Sequence, residues 1–176
     1  MNASYKSTIS SIALMLLLVF PVISIAQTSV KVTEDKAYLY HQPDTNSSLQ
    51  IVAEKGDIFG VHNTQKNWLQ INLFSGSTWY IKTSQAHVVN DIPGYPSDPS
   101  TRDKICMQAK KARKEASAKA MADYPNDINK QTIHEKVLFD KYLLETFRNF
   151  GIPATHHSKL VECVNDGIFH ILKIDS

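Results

Sequence analysis

Glycine is scarce, six residues in 176, and no phosphate-cradling glycine loop can be assembled from them. Cysteine is scarcer. Cys106 and Cys163 are too few for a disulfide-rich mini-protein or a cysteine-based zinc finger, but enough for one bridge. Charge of one sign is also missing: the formal net charge is +2, or +1 without Lys6, which removes the whole-molecule electrostatic case for nucleic-acid binding. His134-Glu135 has no second histidine four residues on, and His156 and His157, being adjacent, diverge by about 100° on a helix, so no metal-ligand pair is read. No cofactor motif, internal repeat or low-complexity segment is present. What is there, 43% hydrophobic and 20% charged residues, excludes a disordered tail, a collagen-like repeat and a multispanning membrane protein, and leaves one or two small domains.

Residues 1–26 read as a secretory signal peptide. Lys6 precedes an apolar run from Ile12 to Phe20, Pro21 breaks it, and Ser24 and Ala26 are the small residues a signal peptidase needs before Gln27. The alternative, an uncleaved anchor, would be short for a span of about 20 residues. No cysteine lies near the cut to make a lipoprotein. A periplasmic or secreted protein is expected, and in that oxidising compartment Cys106 and Cys163 should pair.

Residues 27–90 carry short period-two runs: Val30 and Val32, Ala37 and Leu39, Ile51 and Ala53, Ile58 and Gly60, Leu69 and Ile71, Trp79 and Ile81. Turns are read at Gln42-Pro43-Asp44, Lys55-Gly56-Asp57, Asn63 to Asn67 and Ser75-Gly76-Ser77. This predicts about five strands in a half-buried antiparallel sheet, closed into a small barrel to remove its edges. Residues 91–100, with Pro93, Gly94, Pro96 and Pro99, read as a stiff linker. Residues 101–176 turn to alanine, lysine and leucine and predict a helical domain, its first helix starting near Pro99 or Ser100 and capped by Ser97, Asp98 or Ser100. The charge changes with the texture: residues 27–100 hold five Lys and seven Asp/Glu, net −2, whereas 101–176 hold thirteen Lys/Arg and ten Asp/Glu, net +3. The fold class is therefore α+β by segregation.

On the first helix Ile105, Ala109, Ala112, Ala116 and Ala120 make a narrow stripe of small residues that lets a neighbour pack closely. Its remaining surface carries Lys104, Lys110, Lys111, Arg113, Lys114 and Lys119 against the single Glu115. The second helix is apolar on two sides, Ile133, Val137, Leu144 and Phe147 on one and Phe139, Leu143 and Phe150 on the other, so it should be buried twice over; this is more apolar surface than two neighbouring helices need, so the helical half is expected to pack against the barrel as well. Asp140 and Glu145 are read as ordinary solvated charges on it. Gly151-Ile152-Pro153 stops it. A third helix is read from Leu160, Val161, Val164, Ile168, Ile171 and Leu172. Bridging Cys106 to Cys163 would clamp helices one and three around helix two, closing a loop of about 57 residues and stabilising by roughly 4 kcal/mol.

Four segments of the first half fall in the order and spacing of a known family: Ala37 to Pro43, then Lys55-Gly56-Asp57 with Ile58 to Val61, then Asn67 to Ile71, then Ser75 to Ile81. Over some sixty residues the chain resembles the bacterial SH3 domains of exported cell-wall proteins. Gln42 and Thr78 stand where that family usually has glycine. The helical half carries no such resemblance. The resemblance implies an SH3-like β-barrel that binds peptidoglycan, its cross-linking peptides or another envelope or secreted protein, without catalysis. It places the ligand at the loop from Tyr40 to Asn46, with His41, Pro43 and Asp44, and at exposed aromatics among Tyr38, Tyr40, Trp68, Phe74, Trp79 and Tyr80. Trp68 and either Trp79 or Tyr80 read more as core than as ligand platform; Tyr38 and Tyr40, on the face opposite Leu39, are the better surface residues.

Three functional readings follow. In the first, an exported adaptor, the barrel attaches to the envelope while the helices pack on it or recruit a partner. In the second, an inhibitor or assembly factor, the helices cover another exported protein. The third, a divergent wall hydrolase, would need Cys106 as nucleophile with His156 or His170 as base, but Cys106 lacks the aspartate-cysteine-serine-glycine context of the peptidases that accompany such domains. The basic run on the first helix could approach anionic wall polymer, lipid headgroups or an acidic partner; a solvated face is its ordinary role, and peripheral membrane contact is not predicted.

Overall fold

The computed structural model describes residues 28–156. An antiparallel sheet is followed by two helices, an α+β fold with the two kinds of element segregated along the chain. The strands are β1 (Ser29–Val32), β2 (Lys36–Tyr40), β3 (Gln50–Glu54), β4 (Ile58–Gln65), β5 (Trp68–Asn72), β6 (Thr78–Lys82) and β7 (Ala86–Val89), with a 3-10 turn at Thr83–Gln85. Helices α1 (Pro99–Asp123) and α2 (Ile128–Asn149) and a 3-10 turn at Ala154–His156 complete the described chain.

Seven strands stand where about five were expected, in the order β3-β2-β6-β5-β4-β1-β7. β7 escaped the period-two reading because His87 and Val88, neighbours on opposite faces, are both exposed. β4 also runs through Asn63 to Gln65, which had the composition of a turn. The turn needs only Lys66 and Asn67, since Gln65 pairs directly with Trp68 and Lys66 adopts the left-handed conformation, φ 51°. The sheet curls rather than lying flat. β3, at one end of the order, leads into the Lys55–Asp57 turn, and that turn bonds β1 near the other end: Gly56 N–H donates to the Val32 carbonyl at 3.0 Å and Val32 N–H to that of Asp57 at 2.9 Å. Residues alternating inward from six strands, among them Val30, Leu39, Ile51, Phe59, Ile71 and Trp79, form one core.

The helical hairpin follows its caps. Asp98 accepts from Thr101 N–H at 2.8 Å with Pro99 in the first turn, and Asp127 accepts from Lys130 N–H at 3.0 Å. α2 ends in a Schellman motif: Ile152 N–H reaches the Phe147 carbonyl at 2.9 Å, Gly151 N–H reaches that of Arg148 at 3.0 Å, and Gly151 takes φ 66°. The buried residues of α1 are Ile105, Ala109, Ala112, Ala116 and Ala120, the stripe read from the sequence. Opposite them lie Leu138, Phe139, Leu143 and Phe147 of α2 in a second core. Val137 and Leu144 turn instead to the sheet core, so α2 is buried on two sides.

Two readings of α2 are corrected. Ile133 is 49% exposed, because it lies one turn before Val137, the first residue of its stripe packed against the sheet. Asp140 is not a solvated charge; it is 0% exposed. Between sheet and helices, residues 91–98 carry no regular structure, but Tyr95 packs against the second core and His156 Nε2 lies 2.7 Å from the Pro93 carbonyl. The expected third helix, Cys163, His157 and His170, and the leader lie outside the described residues.

Candidate binding face and the clamp behind it

Alternation along β2, β5 and β6 sends Leu39, Ile71, Trp79 and Ile81 inward and their neighbours outward. The registers align those neighbours: Tyr40 lies opposite Tyr80, Tyr80 opposite Gln70, Trp68 opposite Lys82, and Tyr38 opposite Val52 on β3. One continuous aromatic row results. Tyr38 and Tyr40 have ring centroids 6.3 Å apart, Tyr40 meets Trp68 edge-on at 5.5 Å, and Lys82 Nζ sits 5.9 Å over the Trp68 ring. Tyr38 is 39% exposed, while Tyr40, only 9% exposed, is held between its neighbours and serves as the row's support rather than as the free surface residue expected. Trp68 and Tyr80 are half-buried. Lys82 carried no sequence signal beyond its place two residues after Tyr80.

The loop from His41 to Leu49 adds a shallow polar hollow of about 270 Å³ lined by His41, Gln42, Asp44, Asn46, Ser47, Ser48 and Leu49. Pro43 is exposed in the same loop. Asp44 shapes it by accepting from Asn46 N–H at 3.0 Å. The His41 ring stands perpendicular to that of Trp79, their centroids 5.6 Å apart.

Two expected ligand residues are internal. Trp79 is 0% exposed in the sheet core, because its strand position faces inward. Phe74 packs on Phe147 of α2 at 4.8 Å, bridging the two cores. Among the basic residues, Lys104, Lys110, Lys111, Lys114 and Lys119 are exposed, with Lys111 paired to Glu115 and Lys119 to Asp123. Arg113 is not part of that surface: it pairs with Glu135 of α2 at 2.9 Å and lies over the Phe139 ring, joining the two helices.

The buried carboxylate gives α2 a fixed seat on the sheet. Asp140 accepts from Ser75 N–H at 2.7 Å, from the Ser75 hydroxyl at 2.7 Å and from Trp79 Nε1–H at 2.9 Å. Burial pushes its pKa up to about 6, against the lowering effect of the Ser75 and Trp79 hydrogen bonds and the weaker field of Lys136. Two turns on, Arg148 donates from Nε and Nη2 to Asp57 at 3.2 and 2.7 Å and from Nη1 to Glu54 at 3.1 Å. Its hydrogen bonds to Asp57, with the fields of Asp57, Glu54 and Glu145, hold the guanidinium pKa above its ordinary value. Asp140, Leu144 and Arg148 recur every four residues and so share one face of α2. The signal for Asp140 was its place between Val137 and Leu144 in an apolar stripe.

Among the described residues no group of three His, Cys, Asp or Glu is placed to hold a metal ion. No helix among them is long and apolar enough to cross a membrane. No family model, curated protein or solved structure matches the chain.

Proposed function

We propose that the chain is an exported, non-catalytic binding protein whose sheet half is an SH3-like barrel that recognises peptidoglycan, or a peptide or protein of the cell envelope, and whose helical half is seated on that barrel. The observation that carries the reading is the outward row of Tyr38, Tyr40, Trp68 and Tyr80 beside the His41–Leu49 hollow. Rigid aromatic side chains bring large contact area with few torsions to freeze. The barrel assignment is supported by the curled sheet, by a first strand shared between β4 and β7, and by the 3-10 turn before the last strand. The leader of residues 1–26, periplasmic or secreted location and a Cys106–Cys163 bridge belong to the same proposal. The bridge is supported by Cys106, the one described cysteine, which is not a free thiol.

Co-sedimentation of the purified chain with sacculi tests this. Binding that weakens at least tenfold in Tyr38→Ala, with unfolding unchanged, is the expected result. A second reading, an inhibitor or assembly factor acting through the helices, is favoured by the outer side of α1, where Met107 is 64% and Met121 55% exposed among lysines. Sacculi left unbound, together with a protein partner lost on Met107→Glu, would establish that reading instead.

A further inference from the structure

We propose, resting on the binding reading above, that the aromatic face takes the sugar strand of the wall polymer, in a form bearing free carboxylates, and not its peptides. β5 pairs along its length with β4 on one side and with β6 on the other, so its backbone bonds are already spent and no extended peptide can add as a strand beside Trp68 and Gln70, where recognition has to run through side chains. β2 meets β6 only at Tyr40 and Tyr80. Those side chains have the mixed character that a pyranose ring needs. The rings of Tyr38 and Trp68 offer faces and edges to its apolar C–H side, and the amides of Gln50 and Gln70 sit beside them at the outward positions paired with Tyr40 and Tyr80. The only aliphatic side chain at these positions is Val52, too little to hold the apolar side chains of a peptide.

The charge is one-sided as well. None of the outward positions of β2, β5 and β6 is Asp or Glu, while Lys82 lies over Trp68 and Lys36 starts β2. Glu54, outward at the end of β3, is already bonded to Arg148, and Asp44, in the loop beside the row, accepts from Asn46 N–H. A cation held against an aromatic platform, on strands whose outward positions carry no carboxylate, fits a sugar that carries an acid group, such as the lactyl carboxylate freed when a stem peptide is removed.

The test uses the purified chain with three probes: intact sacculi, glycan strands stripped of stem peptides by an amidase, and isolated stem peptides. The expected result is that stripped strands bind and displace the chain from sacculi, and that stem peptides do neither. Lys82→Gln should weaken binding to stripped strands about tenfold and flatten its salt dependence, with the thermal unfolding curve unchanged, since Lys82 is only half-buried. Retained binding to sacculi with capture of stem peptides and none of stripped strands overturns the sugar assignment and leaves the binding reading intact. Failure to bind any of the three overturns both. An unaltered affinity in Lys82→Gln overturns the assigned face.

Discussion

Replacing Asp140 by asparagine isolates the cost of seating a carboxylate between sheet and helix. The pKa of Asp140 is about 6 in the folded protein against an ordinary 3.8. That difference corresponds to about 3 kcal/mol of linked stability. The folded state holds the proton more tightly than the unfolded chain, so the stabilising contribution is full below pH 3.8, falls as pH rises, and is gone once pH passes about 6. The Asp140→Asn variant has no such window, although its amide must face one of the three donors and forfeits a hydrogen bond worth about 1–3 kcal/mol at every pH. The informative quantity is therefore the difference between the two proteins and not either stability alone. Urea denaturation at pH 4, 5, 6 and 7 should show wild type losing about 2.5 kcal/mol relative to Asp140→Asn across that range, short of the full contribution because the unfolded carboxyl is already largely ionised at pH 4. The lowered carboxylates do not obscure the window. Hydrogen bonds hold Asp98, Asp123 and Asp127 below their ordinary values, and their contributions are lost only as pH falls below 3.8. A difference that stays flat from pH 4 to 7 would refute the claim that desolvation outweighs the three hydrogen bonds.

Other expectations follow from the same contacts. Arg148→Met should destabilise by about 3 kcal/mol, because it removes the counter-ion of Asp57, whose side chain is only 8% exposed and keeps just the Glu54 N–H, and a double-mutant cycle with Asp57→Asn should return a coupling above about 1 kcal/mol. Ala109→Leu should cost about 1–3 kcal/mol, read from the urea midpoint, by forcing α1 away from Phe139 and Phe147. Gly151→Ala should cost about 1 kcal/mol, since its φ of 66° is left-handed although no neighbouring atom would meet the added methyl.

The parts of the fold that periodicity can express were legible. Small residues at helical spacing marked the buried side of α1, and inward alternation marked β2, β3, β5 and β6, since in each case one face is apolar and the other is not. β7 was missed because two consecutive exposed residues break the alternation, and the end of β4 was missed because Asn63 and Thr64 have the composition of a turn although the turn itself falls at Lys66 and Asn67. The face was half legible. Tyr38, Tyr40, Trp68 and Tyr80 were named, but Trp79 and Phe74 were named with them, because a sequence gives the side of a strand only after its register is fixed. Asp140 and Arg148 were the least legible. A charge on a helix is normally solvated, and the donors that justify Asp140 lie 61 and 65 residues away along the chain.

Why the seat of α2 is polar follows from what apolar contact leaves undetermined. Val137 and Leu144 would pack nearly as well with α2 slid or rotated by part of a turn, because apolar burial is almost indifferent to direction. Asp140 and Arg148 are not indifferent. Each meets its donors or acceptors at one position only, and the eight-residue step from one to the other measures about 12 Å along the helix axis. Displacing either would cost buried polar groups their partners: Trp79 Nε1–H and Ser75 N–H at one end, and at the other the Asp57 carboxylate, left with the Glu54 N–H and no counter-ion. The seat also reaches the binding side. Trp79 donates to Asp140 with its indole nitrogen and packs its ring perpendicular to that of His41, so one inward tryptophan joins the helical half to the loop that bounds the hollow. Trp79→Phe preserves an aromatic ring and deletes the N–H. It should therefore raise the Asp140 pKa above about 6 and shift the stability change of wild type to higher pH, while leaving affinity at the aromatic face within about twofold. A pKa that falls instead would mean that the indole bond is not among the forces holding the carboxylate ionised.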